Sequence, residues 1–561
     1  YFMNLSPFSF YWFVLEKQQK EVSLTPEELP QIAAKTWGEV FSERNRDALT
    51  RALLRYLRSR RWFAAKARTV NTLTIGDVIP LSRELGSILL LDVEYTEGEP
   101  ERYLLPVAMK QPRGAEEQER TAGFIARLRE SCVLYEPVAD EKFGDALLVL
   151  IEKRRRAKGQ SGVLAGATMH AFRALRDGVE LHAQVLRAEQ SNTAIVYGDR
   201  LFLKLFRKLE PGINTDLEIT RFLNEETSFR STPAVAGAIE YMTAAHREPT
   251  TVAILQSYTP NSGDAWRYTL DGIGRFFERV VSESGAVARV AGATPAEPLL
   301  VLAERPPSDD ARDLIGGYLA DAEILGKRTA EMHLALASRS DIPAFAPEPF
   351  TPHYQRSIYQ SMRTQLVQAI QMLRRHAKGV AEAEKVIASE NEIHRRLREV
   401  LSARIGGARV RIHGDYHLGQ VLYTGNDFVI IDFEGEPARP LSERRIKRSA
   451  LRDVAGMLRS FDYAPFAVVL GRVEGAVIRE EDVAALEAGA RFWQRWVGAA
   501  FLRAYLAASA GASHLPSRSE ELRVLLDAYL FEKVLYEIAY ELNNRPDWVR
   551  IPLRGVLDLL T

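Results

Sequence analysis

The chain has 561 residues, more than one hydrophobic core normally organises, so we expect two or three domains. Its 46% hydrophobic and 26% charged residues are typical of a soluble globular protein. Lys+Arg and Asp+Glu each number 74, so the charge balance gives no reason to expect a nucleic-acid partner. The single Cys132 excludes an intramolecular disulfide and a cysteine zinc site, and favours a reducing, cytoplasmic compartment.

The apolar opening of the chain, YFMNLSPFSFYWFVLEK, lacks a basic leader and a small-residue cleavage site, so we do not interpret it as a signal peptide. It is also shorter than the roughly 20 residues that span a bilayer, so no membrane association is expected. Residues 10–15 have strand composition. We expect residues 1–20 to be the remnant of an upstream β domain. The alternative is a native strand that pairs within this chain.

The predicted elements then divide into a β-rich half and a helical half. A helical pattern up to about residue 60 precedes three strand-like segments, VNTLTIGDVIP, GSILLLDVEYT and ERYLLPVAM. Further on, DALLVLIEK, AIVYGDRLFLKLF and TVAILQSY predict strands, and TDLEITRFLNEE predicts a helix. From residue 265 onward long helical patterns dominate, and one strand pair near residues 409–432 interrupts them.

This order of elements predicts an α+β, bilobal protein-kinase-like fold, in which a β-rich N-terminal lobe precedes a mostly helical C-terminal lobe. An extra N-terminal cap subdomain is expected at residues 24–130. We place the kinase N-lobe at residues 131–262 and the C-lobe, with the catalytic loop, at residues 263–561.

The strongest motif is RVRIHGDYHLGQVLYTGNDFVIIDFEGEP, in which the loop HGDYHLGQ precedes a hairpin with the turn TGND. The hairpin would bring the loop close to Asp432. Phosphoryl transfer needs a carboxylate that accepts the substrate proton and magnesium that bridges the phosphates. Asp415 is the candidate base, and Gln420 and Asp432 are candidate Mg²⁺ ligands with suitable oxygen atoms. The alternative is a hairpin flanked by ordinary turn aspartates, which the joint occurrence of these residues disfavours.

Lys204 lies in the apolar strand RLFLKLFR, and a lysine there needs an anionic partner or ligand. We predict that it orients the phosphates of ATP and that Glu218, in the helix that follows, is its partner. Alternatively, Thr215 and Glu218 form a capping box at the start of that helix.

Polar residues ahead of the lysine strand are candidates for nucleotide binding. Ser191, Asn192 and Thr193 would form a turn that offers hydroxyls and backbone N–H groups to phosphates, although an ordinary hairpin turn is the alternative. The segment ILQSYTP, which contains Gln256, is where the adenine-binding hinge would lie.

With these residues in view, HGDYHLGQVL followed by IDFEGEPARPLSERR resembles the maltokinases, more closely than the aminoglycoside or choline kinases that share the fold. The similarity extends to RWFAAKAR, LFLKLFRKLEPGINTDLEI, LGKRTAEMHLAL and YELNNRPDWVRIPLRG, and so covers nearly the whole chain from about residue 40. One departure is Ala64 and Ala65, in a segment where the family usually has a glycine. Residues 1–16 are similar to the final strand of an α-amylase-type trehalose synthase, which some bacteria fuse to maltokinase.

The resemblance implies transfer of the ATP γ-phosphate to the anomeric hydroxyl of maltose, giving maltose 1-phosphate and ADP for α-glucan (glycogen) synthesis. It implies ATP and Mg²⁺ as cofactors and trehalose synthase as a covalent or non-covalent partner. Carried over by motif, Asp415 is the base, Gln420 and Asp432 bind magnesium, and Lys204 orients the phosphates.

The C-terminal helical segment FEKVLYEIAYELNNRPDW is the candidate sugar-binding element, since Lys533, Tyr536 and Tyr540 share one helical face. Core packing of the tyrosines is the alternative, and the sugar-binding interpretation depends mostly on the resemblance. The further candidates for sugar contacts are His417, Glu434, Arg439 and Trp548.

Two other functions remain open. The same catalytic residues would serve a kinase that acts on another sugar or on an amino alcohol. A non-catalytic nucleotide- or glucan-binding module of a trehalose synthase assembly is disfavoured, because the candidate base, lysine and metal ligands are all present.

Overall fold

The structure is a computed structural model that describes residues 29–63, 65–66, 68–82, 84–112, 123–186, 191–245, 248–471 and 479–560. The strand expected within residues 1–20 and the departure at Ala64 lie outside the described residues. In these ranges no helix is both long and apolar enough to cross a membrane.

The N-terminal unit is a six-stranded sheet with a helix packed on one face. Its helices are α1 (Trp37–Val40) and α2 (Arg46–Ser59), and its own strands are β1 (Val70–Ser82), β2 (Gly86–Tyr95), β3 (Glu101–Lys110), β4 (Phe124–Arg127) and β5 (Val133–Tyr135). The order along the sheet is β1-β2-β3-β5-β4. Because β5 pairs with β3 and β4, the sheet extends past the boundary that we expected at residue 130.

Both faces of this cap sheet are buried, because neighbouring side chains of a strand point to opposite faces. Leu89 and Leu91 belong to the core shared with α2, whereas Ile88 and Leu90 belong to the core of the kinase N-lobe. The sixth strand, β11 (Lys208–Leu209), comes from the kinase part of the chain and pairs with β3. The cap and the N-lobe therefore share a core and a sheet.

The kinase N-lobe is a seven-stranded antiparallel sheet with three helices. The strands are β6 (Arg156–Lys158), β7 (Gly162–Thr168), β8 (Ala183–Val185), β9 (Thr193–Tyr197), β10 (Leu201–Leu205), β12 (Val235–Thr243) and β13 (Thr250–Ser257). The helices are α3 (Glu141–Glu152), α4 (Phe172–Arg176) and α5 (Thr215–Glu226). The strand order β6-β7-β12-β13-β10-β9-β8 places the lysine strand β10 between β13 and β9.

One predicted strand of this lobe is wrong: the segment DALLVLIEK lies in helix α3. Its buried residues Phe143, Leu147, Leu150 and Ile151 recur at the spacing of one helical face. A short apolar run does not by itself distinguish a buried strand from a buried helix, and here tertiary packing favours the helix.

The C-lobe is mostly helical, as predicted. Its first helices are α6 (Ala265–Ser282), α7 (Ala286–Ala293), α8 (Leu299–Leu302), α9 (Asp309–Ile315), α10 (Tyr318–Leu336), α11 (Pro352–His376), α12 (Ala381–Ala388) and α13 (Glu390–Ser402). The later ones are α14 (Leu441–Arg444), α15 (Leu451–Val469), α16 (Val483–Ala508), α17 (Ser519–Asn544) and α18 (Arg550–Leu560). Its short strands are β14 (Glu348–Pro349), β15 (Ala408–Arg409), β16 (Val421–Tyr423) and β17 (Phe428–Ile430). Helix α15 is buried along nearly its whole length.

Candidate active site

The predicted hairpin at the centre of the C-lobe is confirmed. Strands β16 and β17 form an antiparallel pair in which Val421 lies opposite Ile430 and Tyr423 opposite Phe428. The Thr424 N–H closes the turn by donating a hydrogen bond to the Asp427 carbonyl at 3.0 Å. The hairpin brings the preceding loop beside Asp432, because Nε2 of His413 donates to the Ile431 carbonyl at 2.9 Å. The loop that contains Asp415 and the end of β17 therefore form one site.

The catalytic loop is anchored to the core by Asp453, a buried carboxylate on α15. It accepts the backbone N–H groups of His413 at 2.7 Å and Gly414 at 3.0 Å, and its Oδ2 lies 3.1 Å from Nε2 of His333. Burial alone would raise the pKa of Asp453, but the hydrogen bond and the charge of His333 hold it below its usual value. His333 is itself held through Nδ1 by the Tyr505 hydroxyl at 3.0 Å.

We expect His333→Leu to lower kcat by about 10- to 100-fold with little change in the KM for ATP, because small displacements of a catalytic loop are costly. Steady-state kinetics with ATP varied would measure this. Tyr505→Phe is the control, since it removes only the outer hydrogen bond of the chain. A rise in KM with kcat unchanged would contradict a positioning role for His333.

Asp415 has a partly exposed carboxylate, which no described residue approaches within hydrogen-bonding distance. Its side chain is 22% exposed, and the nearest cation, Nζ of Lys533, lies 3.7 Å from Oδ1. Nε2 of His417 is 4.0 Å from Oδ2, and Nδ1 of that ring accepts the N–H of Gly419 at 3.1 Å. Burial lowers the pKa of His417 despite the neighbouring carboxylate. Asp415 is thus placed to accept a proton from an incoming hydroxyl group.

Lys204 meets three carboxylates in the cleft. Its Nζ lies 2.5 Å from Asp432 Oδ1, 2.5 Å from Glu434 Oε1 and 3.2 Å from Asp216 Oδ2. Burial alone would lower the pKa of Lys204, but these three charges raise it well above its usual value. The lysine is therefore a fixed cation at the point where the lobes meet.

The partner that we predicted for Lys204 is wrong. Glu218 instead pairs with the buried Arg411 of the C-lobe at 2.8 Å, and Asp216 takes its place beside the lysine. Two positions along a helix turn a side chain by about 200°, so the two carboxylates point to opposite sides of α5. The capping-box alternative is also wrong, because Asn214 is the N-cap and the Thr215 hydroxyl donates to the Glu434 carbonyl.

We expect Asp216→Asn to lower kcat/KM for ATP by about 10²-fold, because it weakens contacts to Lys204 and to the N–H of Phe433. The matched change two residues away, Glu218→Gln, should leave the kinetics within about threefold. It should cost about 2 kcal/mol of folding stability, since Arg411 is buried. Kinetics and thermal unfolding of both variants test the assignment, and the reverse pattern would refute it.

The acidic residues around Lys204 fit a hard divalent cation. Asp216, Asp432 and Glu434 each offer a carboxylate oxygen within 4.8 Å of the others. Burial alone would raise the pKa of Asp432, but Lys204 lowers it, so this carboxylate stays ionised. The Gln420 backbone carbonyl accepts a hydrogen bond from the N–H of Ile431 at 3.0 Å, which places Gln420 next to the residue that precedes Asp432. Carboxylate and amide oxygens are the ligands that Mg²⁺ prefers.

Lys204 shares one face of its strand with a set of apolar residues. In the sheet register Lys204 is opposite Ile254 and Ala194, and Phe202 is opposite Gln256 and Val196. Residues that face each other across antiparallel strands lie on the same side of the sheet. Gln256 therefore lies on the lysine side, where a nucleotide base would pack, and it stays a candidate.

The polar turn before the lysine strand contributes one residue to the cluster. The Asn192 side-chain amide donates to Glu434 Oε1 at 2.8 Å, and Ser191 is exposed beside it. Thr193 points to the opposite face of the sheet, where its hydroxyl oxygen accepts a hydrogen bond from the Nε–H of Arg207 at 2.7 Å. The prediction that the Thr193 hydroxyl binds nucleotide is therefore wrong, because strand alternation turns it away from Lys204.

A narrow pocket opens beside Asp415, between the catalytic loop and α17. It includes two of the predicted sugar contacts, Lys533 and Tyr536. The remaining lining residues are Gln365, Gly414, Asp415, Tyr416, Glu436, Arg452, Asp453, Gly456, Tyr529 and Glu532. Sequence reasoning missed Glu436, although it lies in the IDFEGEP motif, and Arg452 and Glu532, which carry no local signal.

The other predicted sugar contacts lie outside this pocket. Tyr540 is exposed and stacks near Tyr536, with ring centroids 6.3 Å apart. The Arg545 guanidinium lies over the rings of Tyr540 and Trp548, at 5.5 and 4.2 Å from their centroids. Arg439 contacts Glu436 and Glu443. Glu434 lies beside Lys204, in the cluster that Lys204 forms with three carboxylates, and His417 lies in the loop that contains Asp415.

Glu436 and Glu532 form an acidic wall of the pocket, and two arginines are paired with it. Arg452 contacts Glu436 at 2.8 Å and Glu532 at 3.1 Å, and Arg439 contacts Glu436 as well. Burial alone would raise the pKa of Glu436, but these two guanidinium groups lower it to about 2. Glu436 is therefore ionised, and both carboxylates of the wall already have arginine partners.

Comparison with known proteins agrees with this architecture. Residues 56–140 match the maltokinase N-terminal cap domain, and residues 182–435 match the phosphotransferase enzyme family. A glucosamine kinase of Streptacidiphilus jiangxiensis is 26% identical over 376 residues, covering 66% of this chain and 72% of that protein. A glucosamine kinase of Mycolicibacterium smegmatis is 24% identical over 368 residues, covering 65% and 77%.

A solved structure of glucosamine kinase in complex with glucosamine, ADP and inorganic phosphate is similar in fold. It superposes with a TM-score of 0.56 at 20% identity, covering 88% of this chain and 95% of that chain. The fold is therefore that of the phosphotransferases with a protein-kinase-like architecture, and the predicted fold class is confirmed. Within that class the chain carries the N-terminal cap of the maltokinases, which confirms the resemblance seen in the sequence.

Proposed function

We propose that this chain transfers the γ-phosphate of ATP to the anomeric hydroxyl of maltose, giving maltose 1-phosphate and ADP. The observation that carries the proposal is the position of Asp415. Its accessible carboxylate lies in the wall of the acceptor pocket, on the same loop-and-hairpin unit that presents Asp432 to Lys204. The maltokinase cap supports maltose as the acceptor.

In this mechanism Asp415 accepts the proton of the anomeric hydroxyl while the oxygen of that hydroxyl forms a bond to the γ-phosphorus of ATP. The bond from that phosphorus to the bridging oxygen of ADP breaks, and Asp415 later releases its proton to water. Lys204 holds the phosphates in line with the acceptor. Asp432 and Gln420 would hold Mg²⁺, which neutralises phosphate charge when it is bound.

The acceptor pocket offers the groups that a sugar needs. The carboxylates of Glu436 and Glu532 offer hydrogen-bond acceptors to sugar hydroxyls, and Tyr536 provides an aromatic surface. Tyr540 lies beside Tyr536, and Arg545 lies over the rings of Tyr540 and Trp548, so we infer that this aromatic group contacts a second sugar ring. A disaccharide is therefore better matched to these groups than a single small ring.

The proposal extends to the cellular setting. A kinase that makes maltose 1-phosphate acts in the cytoplasm, where ATP is available, and supplies an activated disaccharide for α-glucan synthesis. The resemblance of residues 1–16 to trehalose synthase supports a physical association, covalent or non-covalent, with that enzyme.

Glucosamine is the second candidate acceptor, because both curated relatives reported above are glucosamine kinases. Its phosphorylation would use the same base, lysine and metal ligands. Only the acceptor pocket distinguishes the two functions.

The test is ADP release from ATP and Mg²⁺ with maltose, glucose, trehalose, glucosamine or an aminoglycoside as acceptor. We expect maltose-dependent release and a product that has lost its reducing end. Asp415→Asn protein, prepared identically, controls for contaminating kinases. Release with another acceptor only would remove maltose from the proposal. No release from folded, ATP-binding protein would favour a non-catalytic module.

A further inference from the structure

Lys533 is the cation of the acceptor pocket that lies nearest to the base. It projects from α17 with its side chain 23% exposed, and its Nζ lies 3.7 Å from Oδ1 of Asp415. The ring of Tyr536 is 5.2 Å from the same ammonium group. Within the described chain, Asp415 is the only carboxylate that contacts Lys533 within 4.0 Å. The ammonium therefore borders the space where an acceptor hydroxyl must meet Asp415.

The carboxylates that line the pocket already have cationic or imidazole partners. Among the described residues, these pairs are Glu436 with Arg439 and Arg452, Glu532 with Arg452, Asp453 with His333, and Asp415 with Lys533. An acceptor that carries an ammonium group needs an uncompensated carboxylate to replace its hydration. Each carboxylate of this pocket already has such a partner, and the Lys533 ammonium group lies close to the reacting position.

We propose that Lys533 is a specificity-determining residue, which admits neutral hydroxyl acceptors and disfavours acceptors that carry an ammonium group. This inference rests on the proposed function only in that the pocket beside Asp415 is the acceptor site. It gives a physical reason why this chain would prefer a neutral sugar over glucosamine, although two of its curated relatives are glucosamine kinases. Rejection comes from like-charge repulsion, which is an effective way to separate two otherwise similar ligands.

The test compares acceptors that differ in charge at one position. Glucose and glucosamine form the matched pair, N-acetylglucosamine is a neutral analogue of similar substitution, and maltose is the proposed substrate. The readout is the ratio of kcat/KM for glucose to kcat/KM for glucosamine, at a pH where the amine is protonated. A ratio within one enzyme is insensitive to a general loss of activity or of folded protein.

In the wild-type chain we expect this ratio to exceed about tenfold. Lys533→Met keeps much of the side-chain volume without the charge, and it should lower the ratio by at least about tenfold. Lys533→Arg keeps the charge and should hold the ratio within about threefold of wild type. Loss of discrimination in both variants would indicate packing rather than charge, and would overturn the proposal.

The remaining outcomes separate this inference from the proposed function. A neutral acceptor other than maltose, with the ratio still lowered by Lys533→Met, would refute maltose as the substrate and support the role of Lys533. Wild-type preference for glucosamine over glucose, or an unchanged ratio in Lys533→Met, would overturn the role of Lys533. Absence of turnover with every acceptor would overturn both.

Discussion

Asp415→Asn is expected to reduce turnover by about 10³-fold while ATP binding stays within about twofold of wild type. The amide cannot accept the proton of the attacking hydroxyl, whereas the groups that face the nucleotide, Lys204 and Asp432, are unchanged. The substitution preserves size and does not alter the backbone N–H of Asp415, which lies 3.4 Å from Nδ1 of His413. Single-turnover phosphoryl transfer and calorimetric titration with ATP measure the two effects separately.

The matched control is Asp427→Asn in the turn of the same hairpin. Asp427 forms a two-point contact with Arg328, at 2.8 and 2.7 Å, away from the acceptor pocket. Losing that carboxylate should lower thermal stability slightly and leave turnover near normal, since partly exposed pairs contribute about 1 kcal/mol or less. If Asp415→Asn retained turnover similar to that of Asp427→Asn, Asp415 would not be the base.

Asp432→Asn is expected to remove most of the gain in ATP affinity that Mg²⁺ gives. An ionised carboxylate is a far better ligand for this cation than an amide, and the pKa of Asp432 is already lowered by Lys204. We expect the ratio of ATP dissociation constants without and with Mg²⁺ to fall by at least about tenfold. Lys204 keeps Asp216 and Glu434 as partners, so the cluster stays balanced and the protein should remain folded.

Binding measured in the presence of a chelator provides the internal comparison for Asp432→Asn. Without metal, the variant and the wild type should bind ATP with similar affinity, because Asp432 contributes mainly through the cation. A variant whose affinity gain with Mg²⁺ equals that of the wild type would show that other residues hold the metal. Weaker ATP binding with and without metal alike would indicate collapse of the lysine cluster instead.

The parts of the site that sequence predicted correctly are local in the chain. The hairpin, its TGND turn and the loop before it lie within 30 residues, and their geometry follows from turn chemistry and strand alternation. The fold class could be predicted for a similar reason, since the order of β-rich and helical segments is visible without any knowledge of contacts.

The errors at the site concerned the orientation of residues rather than their identity. Lys204 was correctly expected to need a carboxylate from α5, but the choice between Asp216 and Glu218 depends on how the helix is rotated against the sheet. Thr193 failed in the same way, because one step along a strand reverses the face. The sequence alone does not determine how helix α5 is rotated against the sheet, or which face of the sheet a given strand residue occupies.

The anchor of the catalytic loop could not be predicted at all. Asp453 and His333 lie 40 and 80 residues from His413, on helices α15 and α10, and they meet only because the C-lobe packs those helices together. The acidic wall of the pocket is similar, because Glu532 and Arg452 come from different helices. Buried polar networks of this kind depend on tertiary structure, and no local sequence pattern predicts them.

The pairing of β11 with β3 has a consequence for how the protein unfolds. Strand β11 begins three residues after the end of the lysine strand β10, so a segment of the kinase N-lobe completes the sheet of the cap. Loss of the cap would leave an open strand edge and expose the apolar face around Ile88 and Leu90. We therefore expect the cap and the N-lobe to unfold in one cooperative transition. A substitution that destabilises the cap sheet should then also unfold the nucleotide site.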